Sequence, residues 1–228
     1  MARVQWHMVD NNERQAGMSG PYPTEAELGI MAGLAVSRET IERLQIYAEL
    51  LLKWTRRINL IGPRTETAIW QRHIIDSLQL LPHLDKAARI ADIGSGAGLP
   101  GLVLAIAGCR DMHLVESDQR KAAFLREANR VCGAGATIHA ARAEDCGDIQ
   151  AGWVISRACA PVVKLLDLAS AIAAEKTQCL FLKGLHVDDE LTDAHKKWFI
   201  DVRRIESLTD PAGIILHIGA FRHVADRN

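Results

Sequence analysis

Residues 91–101 read ADIGSGAGLPG, a glycine-rich turn between an apolar run and a stretch with helical spacing. No other feature constrains the chain as strongly, because glycines at this density let the backbone turn sharply and let a ligand approach where a Cβ would intrude. The segments around the turn alternate in type. Residues 90–93, 112–116, 137–140, 153–156, 179–183, 202–205 and 214–219 have the short apolar pattern of strands, and 100–107 and 122–132 have the spacing of helices. Such alternation predicts an α/β fold with a doubly wound, mostly parallel sheet. The last two strands follow each other with no helix-length segment between them, so the C-terminal edge is expected to turn antiparallel.

Upstream of the turn the pattern is different. Residues 1–36 show no stable period and carry Gly17, Gly20, Pro21, Pro23, Gly29 and Gly33, which predicts a loose arm. Ser37 is an N-cap candidate, and Ile41, Leu44, Ala48 and Leu51 then form one helical face. A second helix is expected after Thr65, carrying Ile74, Leu78 and Leu81 and ending at Pro82. The expected organisation is therefore an arm (1–36), a helical extension (37–84) and an α/β domain (85–228).

Composition limits the setting. The 228 residues carry 27 Lys and Arg against 28 Asp and Glu, so the chain is not a generally basic coat for nucleic acid, although a local basic face is compatible with that balance. The longest apolar run, 102–107, is far short of the roughly 17 residues of a membrane span. The first 36 residues hold no secretory core, which points to the cytoplasm. Five cysteines without C-x-x-C pairing read as reduced, small hydrophobes, and no histidine spacing suggests a metal. No heptad suggests a coiled coil, and a monomer is expected.

A lone Gly-x-Gly-x-x-Gly, here Gly96, Gly98 and Gly101, is a weak signal. Context strengthens this one: a strand precedes it, a helix follows, and Glu116 ends the next strand 22 positions after Gly94, where a carboxylate can accept from a ribose diol. Asp92 decides between ligands that share adenosine. A carboxylate beside the turn opposes a pyrophosphate and suits the ammonium of S-adenosylmethionine. A turn with no ligand is the plain alternative.

The longer strings are more specific. NLIGPRTETAIWQRHIIDSLQLLPHL (59–84), ADIGSGAGLPG, ESDQRKAAFLRE (116–127), ARAED (141–145), ISRACAP (155–161) and FLKG (181–184) occur in an order that resembles the bacterial 16S ribosomal RNA guanine-N7 methyltransferase family, RsmG, also called glucose-inhibited division protein B. The resemblance spans roughly 37–220. It implies a seven-stranded class I methyltransferase fold with a helical N-terminal extension, S-adenosylmethionine as methyl donor, and a guanine of the decoding-region loop of 16S rRNA, in the small ribosomal subunit or its precursor, as acceptor. By matched motif it implies cofactor contacts from Gly94, Ser95, Gly96, Gly98 and Leu99, from Glu116 on the ribose, from Ala143 and Glu144 beside the adenine, and from Arg157. Arg120, Lys121, Arg142 and Lys183 match basic positions that face cofactor or RNA. Two departures stand out: Val115-Glu116-Ser117 replaces a common Leu-Asp-Ser, and Cys159 stands where Phe is common.

Guanine N7 bears a lone pair and no proton, so this chemistry needs alignment and charge stabilisation rather than a general base. On the substrate side the candidates are Asn59, Arg72, His73 and Lys183. His73 and Asp76 lie three apart and either line the RNA cleft or tie the helical extension to the sheet; Asn59 either orients the base or caps a turn. Lys53, Arg56, Arg57 and Arg64, with Trp54 and Trp70 among them, read as an RNA face or as a solvated face over core tryptophans. Arg157, at a strand's carboxyl end, is a ligand or a salt-bridge partner. A class I methyltransferase acting on another acceptor, and a non-catalytic or nicotinamide-binding relative of the turn, are the competing readings.

Overall fold

The computed structural model describes residues 22–226. The apolar runs become seven strands, β1 (Arg89–Ile93), β2 (Asp111–Val115), β3 (Thr137–His139), β4 (Ala151–Arg157), β5 (Ala173–Lys183), β6 (Trp198–Glu206) and β7 (Ile214–His223), in one sheet of order β3-β2-β1-β4-β5-β7-β6. The first five pair in parallel, and β7 lies antiparallel between β5 and β6, as the missing crossover helix required. The chain winds outward from β1 to one side and from β4 to the other. The crevice for a ligand therefore opens over the carboxyl ends of β1 and β4.

Helices cover both faces. On one side lie α1 (Glu25–Gly33), α2 (Arg38–Ile58), the short α3 (Asp76–Leu78), α4 (Gly101–Ile106) and α5 (Gln119–Cys132). On the other lie α6 (Val162–Ile172) and α7 (Val187–His195), two helices not predicted from the sequence. Successive strand residues point to opposite faces, so Leu180 joins the core with Leu44, Trp70 and Phe124, and Phe181 joins the core with Val154, Leu165 and Ile218. The helical extension thus shares one continuous core with the sheet.

Two upstream expectations need correction. Residues 25–33, inside the stretch read as a loose arm, form a helix despite Gly29 and Gly33. Thr24 and Glu27 close a capping box, with Thr24 N donating to Glu27 Oε2 at 2.7 Å, and Met31 is fully buried. Residues 1–21 of the arm lie outside the described residues. The expected second helix is a 3-10 segment (Pro63–Ala68), a π-helical turn (Trp70–Ile75), α3, and a further 3-10 turn (Leu81–His83) containing Pro82. The ladder is irregular where tertiary bonds draw on it: the carbonyl of Arg72 accepts from Arg157, 85 residues away.

Candidate active site

The glycine turn sits at the carboxyl end of β1 and is held by backbone groups. Gly94 N and Ser95 N both donate to Val115 O, at 2.9 and 3.1 Å, and Gly98 N donates to Ser95 O at 2.6 Å. Gly94 has φ +68°, and a Cβ there would run into Cys159 Sγ. At Gly101, which opens α4, a Cβ would meet Leu114 Cδ2 at 2.5 Å and Asp92 Oδ2 at 2.6 Å, so only glycine fits. From behind, the buried Tyr47 of α2 donates its hydroxyl to Ala97 O at 2.7 Å. Tyr47 carries no motif that marks it in the sequence, although it lies on the same face as Leu44 and Leu51.

The acidic residues around the turn differ in role. Glu116 is nearly buried, with Oε2 accepting from Gly96 N at 2.8 Å and Oε1 from Asp118 N at 2.7 Å, so the carboxylate is fixed against the turn. Each oxygen keeps a second lone pair, enough to accept from a diol. Asp92 departs from expectation. It is sealed inside, Oδ2 accepts from Gly101 N at 2.9 Å and Oδ1 is buried without a partner, so it anchors the start of α4 instead of facing a ligand ammonium. Burial pushes its pKa up to about 7, against the pull of the Gly101 N–H and of Arg157. Ser95 is likewise buried, donating to Asp92 O at 2.9 Å, and Leu99 is buried beside it. Ala143 is buried at the start of a 3-10 turn (Ala143–Asp145) beyond β3, while Glu144 is exposed and pairs with Lys164 at 3.3 Å. The fixed carboxylate, the cradle at Gly94 and Gly96 and the adjacent turn at Ala143 form a donor and acceptor set that fits a nucleoside.

Beside the glycine turn, at the carboxyl end of the neighbouring β4, stands a side-chain network. Arg157 Nη1 donates to Arg72 O at 3.0 Å and to Asp76 Oδ2 at 3.1 Å, and Nη2 donates to His73 Nδ1 at 3.1 Å. Asp76 Oδ1 accepts from Thr209 Oγ1 at 2.7 Å, Arg72 pairs with Asp210 at 2.8 Å, and Leu208 N donates to the buried Gln79 at 2.7 Å. The structure therefore places Arg157 and Asp76 as salt-bridge partners and places His73 and Arg72 in the tie between the extension and the sheet. His73 is nearly buried, and its pKa falls to about 3, by burial first and then by Arg157 and Arg72. Lys183, expected to face cofactor or RNA, is turned inward, with Nζ 2.5 Å from Glu190 Oε2 and 2.9 Å from Ala160 O. Asn59 occupies the left-handed position that ends α2, with φ 51°.

The basic residues gather at the same end of the molecule. Arg43 near the start of α2 donates to Cys132 O and Gly133 O at the end of α5, and Trp54 near the end of α2 packs on Phe124 near the start of α5, ring centroids 5.6 Å apart. The two helices therefore run antiparallel. The end of α2, with Lys53, Arg56 and Arg57, is therefore on the side where α5 begins with Arg120 and Lys121 after β2, and Arg142 follows β3. All but the half-buried Lys121 are exposed, Arg142 and Arg64 included. Trp70 is fully buried, so its ring belongs to the core and not to an RNA-stacking surface. A cleft of about 940 Å³ lined by Lys176, Trp198 and Phe221 lies at the amino end of β5, away from this site.

Comparison with known proteins gives a consistent result. A family model described as rRNA small subunit methyltransferase G matches residues 40–213. The chain is 52% identical over 184 residues to a ribosomal RNA small subunit methyltransferase G of Paramagnetospirillum magneticum, covering 80% of this chain and 90% of that one, and 48% identical over 189 residues to that of Rhodospirillum rubrum, covering 82% and 94%. Among solved structures it is similar to a ribosomal protein L11 methylase of Lactobacillus delbrueckii (TM-score 0.53, 14% identity, 64% and 77% of the chains) and to an O-methyltransferase of Bacillus cereus in complex with SAH (TM-score 0.52, 12% identity, 76% and 90%). At that identity the likeness establishes the fold, which is that of the class I methyltransferases.

Proposed function

The chain belongs to the rRNA small subunit methyltransferase G family, and on that premise we propose that it transfers a methyl group from S-adenosylmethionine to N7 of one guanine in the decoding-region loop of 16S rRNA. The observation that carries the reading within this chain is the coincidence, at one end of the sheet, of a nucleoside-shaped cradle and a face of arginines and lysines. Glu116 would accept from the ribose hydroxyls, Gly94, Ser95, Gly96, Gly98 and Leu99 would line the donor, and Ala143 and Glu144 would flank the adenine. The bound donor supplies a methyl group already activated on a sulfonium.

What remains for the residues of this chain is positioning. N7 attacks through its own lone pair and no proton leaves it, so no side chain has to act as a base. His73, with its pKa near 3 and both ring nitrogens committed, is suited to holding structure and not to moving protons. Lys53, Arg56, Arg57, Arg64, Arg120, Lys121 and Arg142 would meet phosphates around the target loop. Cys159, beside Gly94, leaves the cleft without the aromatic ring common in the family. The substrate is taken to be the small subunit or its precursor, with the protein acting as a monomer in the cytoplasm; among the described residues no helix is long and apolar enough to cross a membrane.

Labelled S-adenosylmethionine incubated with 30S and 50S particles from cells lacking the corresponding activity tests this reading. Label on the 30S RNA alone is expected. Label on neither particle, with the donor still bound, would overturn the choice of acceptor.

A further inference from the structure

From the geometry around the π-helical turn we infer that Thr65 is a positioning residue for the RNA-facing Arg64, linked through His73 to the carboxyl end of β4. The inference rests on the rRNA reading above and adds to it a residue to which neither the motifs nor that reading gave a role.

Hydrogen-bond direction sets the order of the linkage. A guanidinium only donates, so His73 Nδ1, 3.1 Å from Arg157 Nη2, must offer its lone pair. The ring proton then sits on Nε2 and is donated to Thr65 Oγ1 at 2.8 Å. Thr65 Oγ1 donates to Gly62 O at 2.8 Å, and Thr65 N donates to the same carbonyl at 2.9 Å. The His73 ring and the Thr65 hydroxyl each take one bond and give one, so the series has a single direction, from Arg157 to His73, Thr65 and Gly62.

The last two bonds close a four-residue turn, Gly62-Pro63-Arg64-Thr65, with Pro63 and Arg64 at its tip. Arg64 is exposed, and its turn follows the left-handed end of α2, whose last residues include Arg56 and Arg57. One end of the series therefore stands beside the glycine turn and the other carries a phosphate-facing cation. The arrangement fixes where Arg64 lies relative to the reacting end of the sheet, and the hydroxyl of Thr65 is the single atom that both closes the turn and ties it to His73.

The test is steady-state methylation of 30S particles by the full chain carrying Thr65→Val, Thr65→Ser, Arg64→Ala, or Thr65→Val with Arg64→Ala. Thr65→Val keeps the shape and removes the hydroxyl. It is expected to raise KM for the particle about fivefold, the order of one neutral hydrogen bond removed, with kcat and the Kd for S-adenosylmethionine unchanged. Thr65→Ser should restore the wild-type KM, and Thr65→Val should add nothing once Arg64 is already alanine, because its effect acts through that side chain. A wild-type KM for Thr65→Val, failure of serine to rescue, or full additivity with Arg64→Ala would overturn the assignment. Absence of methylation by the wild-type chain would instead overturn the rRNA reading and this inference with it.

Discussion

Between Gly94 and Gly101 the chain is fixed mainly by its own backbone: Val115 O and Ser95 O accept from turn amides, and the Glu116 and Asp92 carboxylates accept from Gly96 and Gly101. Between Gly62 and Gln79 it is fixed by side chains brought from far away, Arg157 at a separation of 81 residues from Asp76 and Asp210 at 138 from Arg72. The first wall has little freedom, because its amides are bonded to Val115 O, Ser95 O and the buried Glu116 and Asp92 carboxylates. The second depends on a few charged and hydroxyl groups, so single substitutions should loosen it without unmaking the sheet. Donor binding is thus tied to backbone geometry, and RNA positioning to a side-chain network.

The strongest way to break that separation is Arg157→Ala. It leaves the poorly exposed Asp76 carboxylate without its cation and frees Arg72 O and His73, at a cost of about 3 kcal/mol by analogy with other broken buried pairs. Thermal unfolding should fall by roughly 6–12 °C for a chain of this size, and methyl transfer should be lost. Normal activity would remove Arg157 from both walls. Gly101→Ala tests the backbone wall. Its Cβ would overlap Asp92 and Leu114, and overpacking of this kind costs about 2 kcal/mol. Calorimetry should then show weakened S-adenosylmethionine binding, while RNA retention on filters stays near wild type.

A smaller effect comes from pH. The folded-state pKa of Asp92, about 7, lies above its ordinary value, so the stability held by the protonated form is complete below that ordinary value and is lost as pH rises through about 7. Melting curves of the ligand-free protein at pH 5 and pH 8 should show Asp92→Asn gaining on the wild type at the higher pH. An equal difference at both would place the carboxylate outside a low-dielectric site. The least change in stability is expected for Lys53→Ala with Arg57→Ala. Both side chains are exposed, so stability should move by no more than about 0.5 kcal/mol. KM for 30S particles should rise a few-fold, and the salt dependence of binding should shrink by about 0.7–0.9 in log–log slope for each phosphate that the pair no longer neutralises.

The same contrast explains what the sequence made legible. The glycine turn, Glu116 and the antiparallel edge of the sheet follow from local pattern and spacing, and all three appear in the fold. Lys183, Asp92 and Trp70 carry residue types that suit a ligand, yet the fold turns each inward, because side-chain direction depends on partners such as Glu190 and Gly101 that pattern cannot supply. The capping box at Thr24 is present in the sequence but obscured by nearby glycines. The bonds of Gln79 to Leu208, of Asp76 to Thr209 and of Arg72 to Asp210 have no local signal, since these residues meet only when the turn joining β6 and β7 returns to the helical extension.

Both walls, on this account, only align a lone pair with an activated methyl, with no base in either. Mapping the methyl group in 16S rRNA by chain cleavage specific for N7-methylguanosine, after reaction with 30S particles, tests that claim directly. The prediction is one cleavage, within the decoding-region loop. A methyl group resistant to that cleavage, on an exocyclic nitrogen or a ribose hydroxyl that must lose a proton, would contradict it.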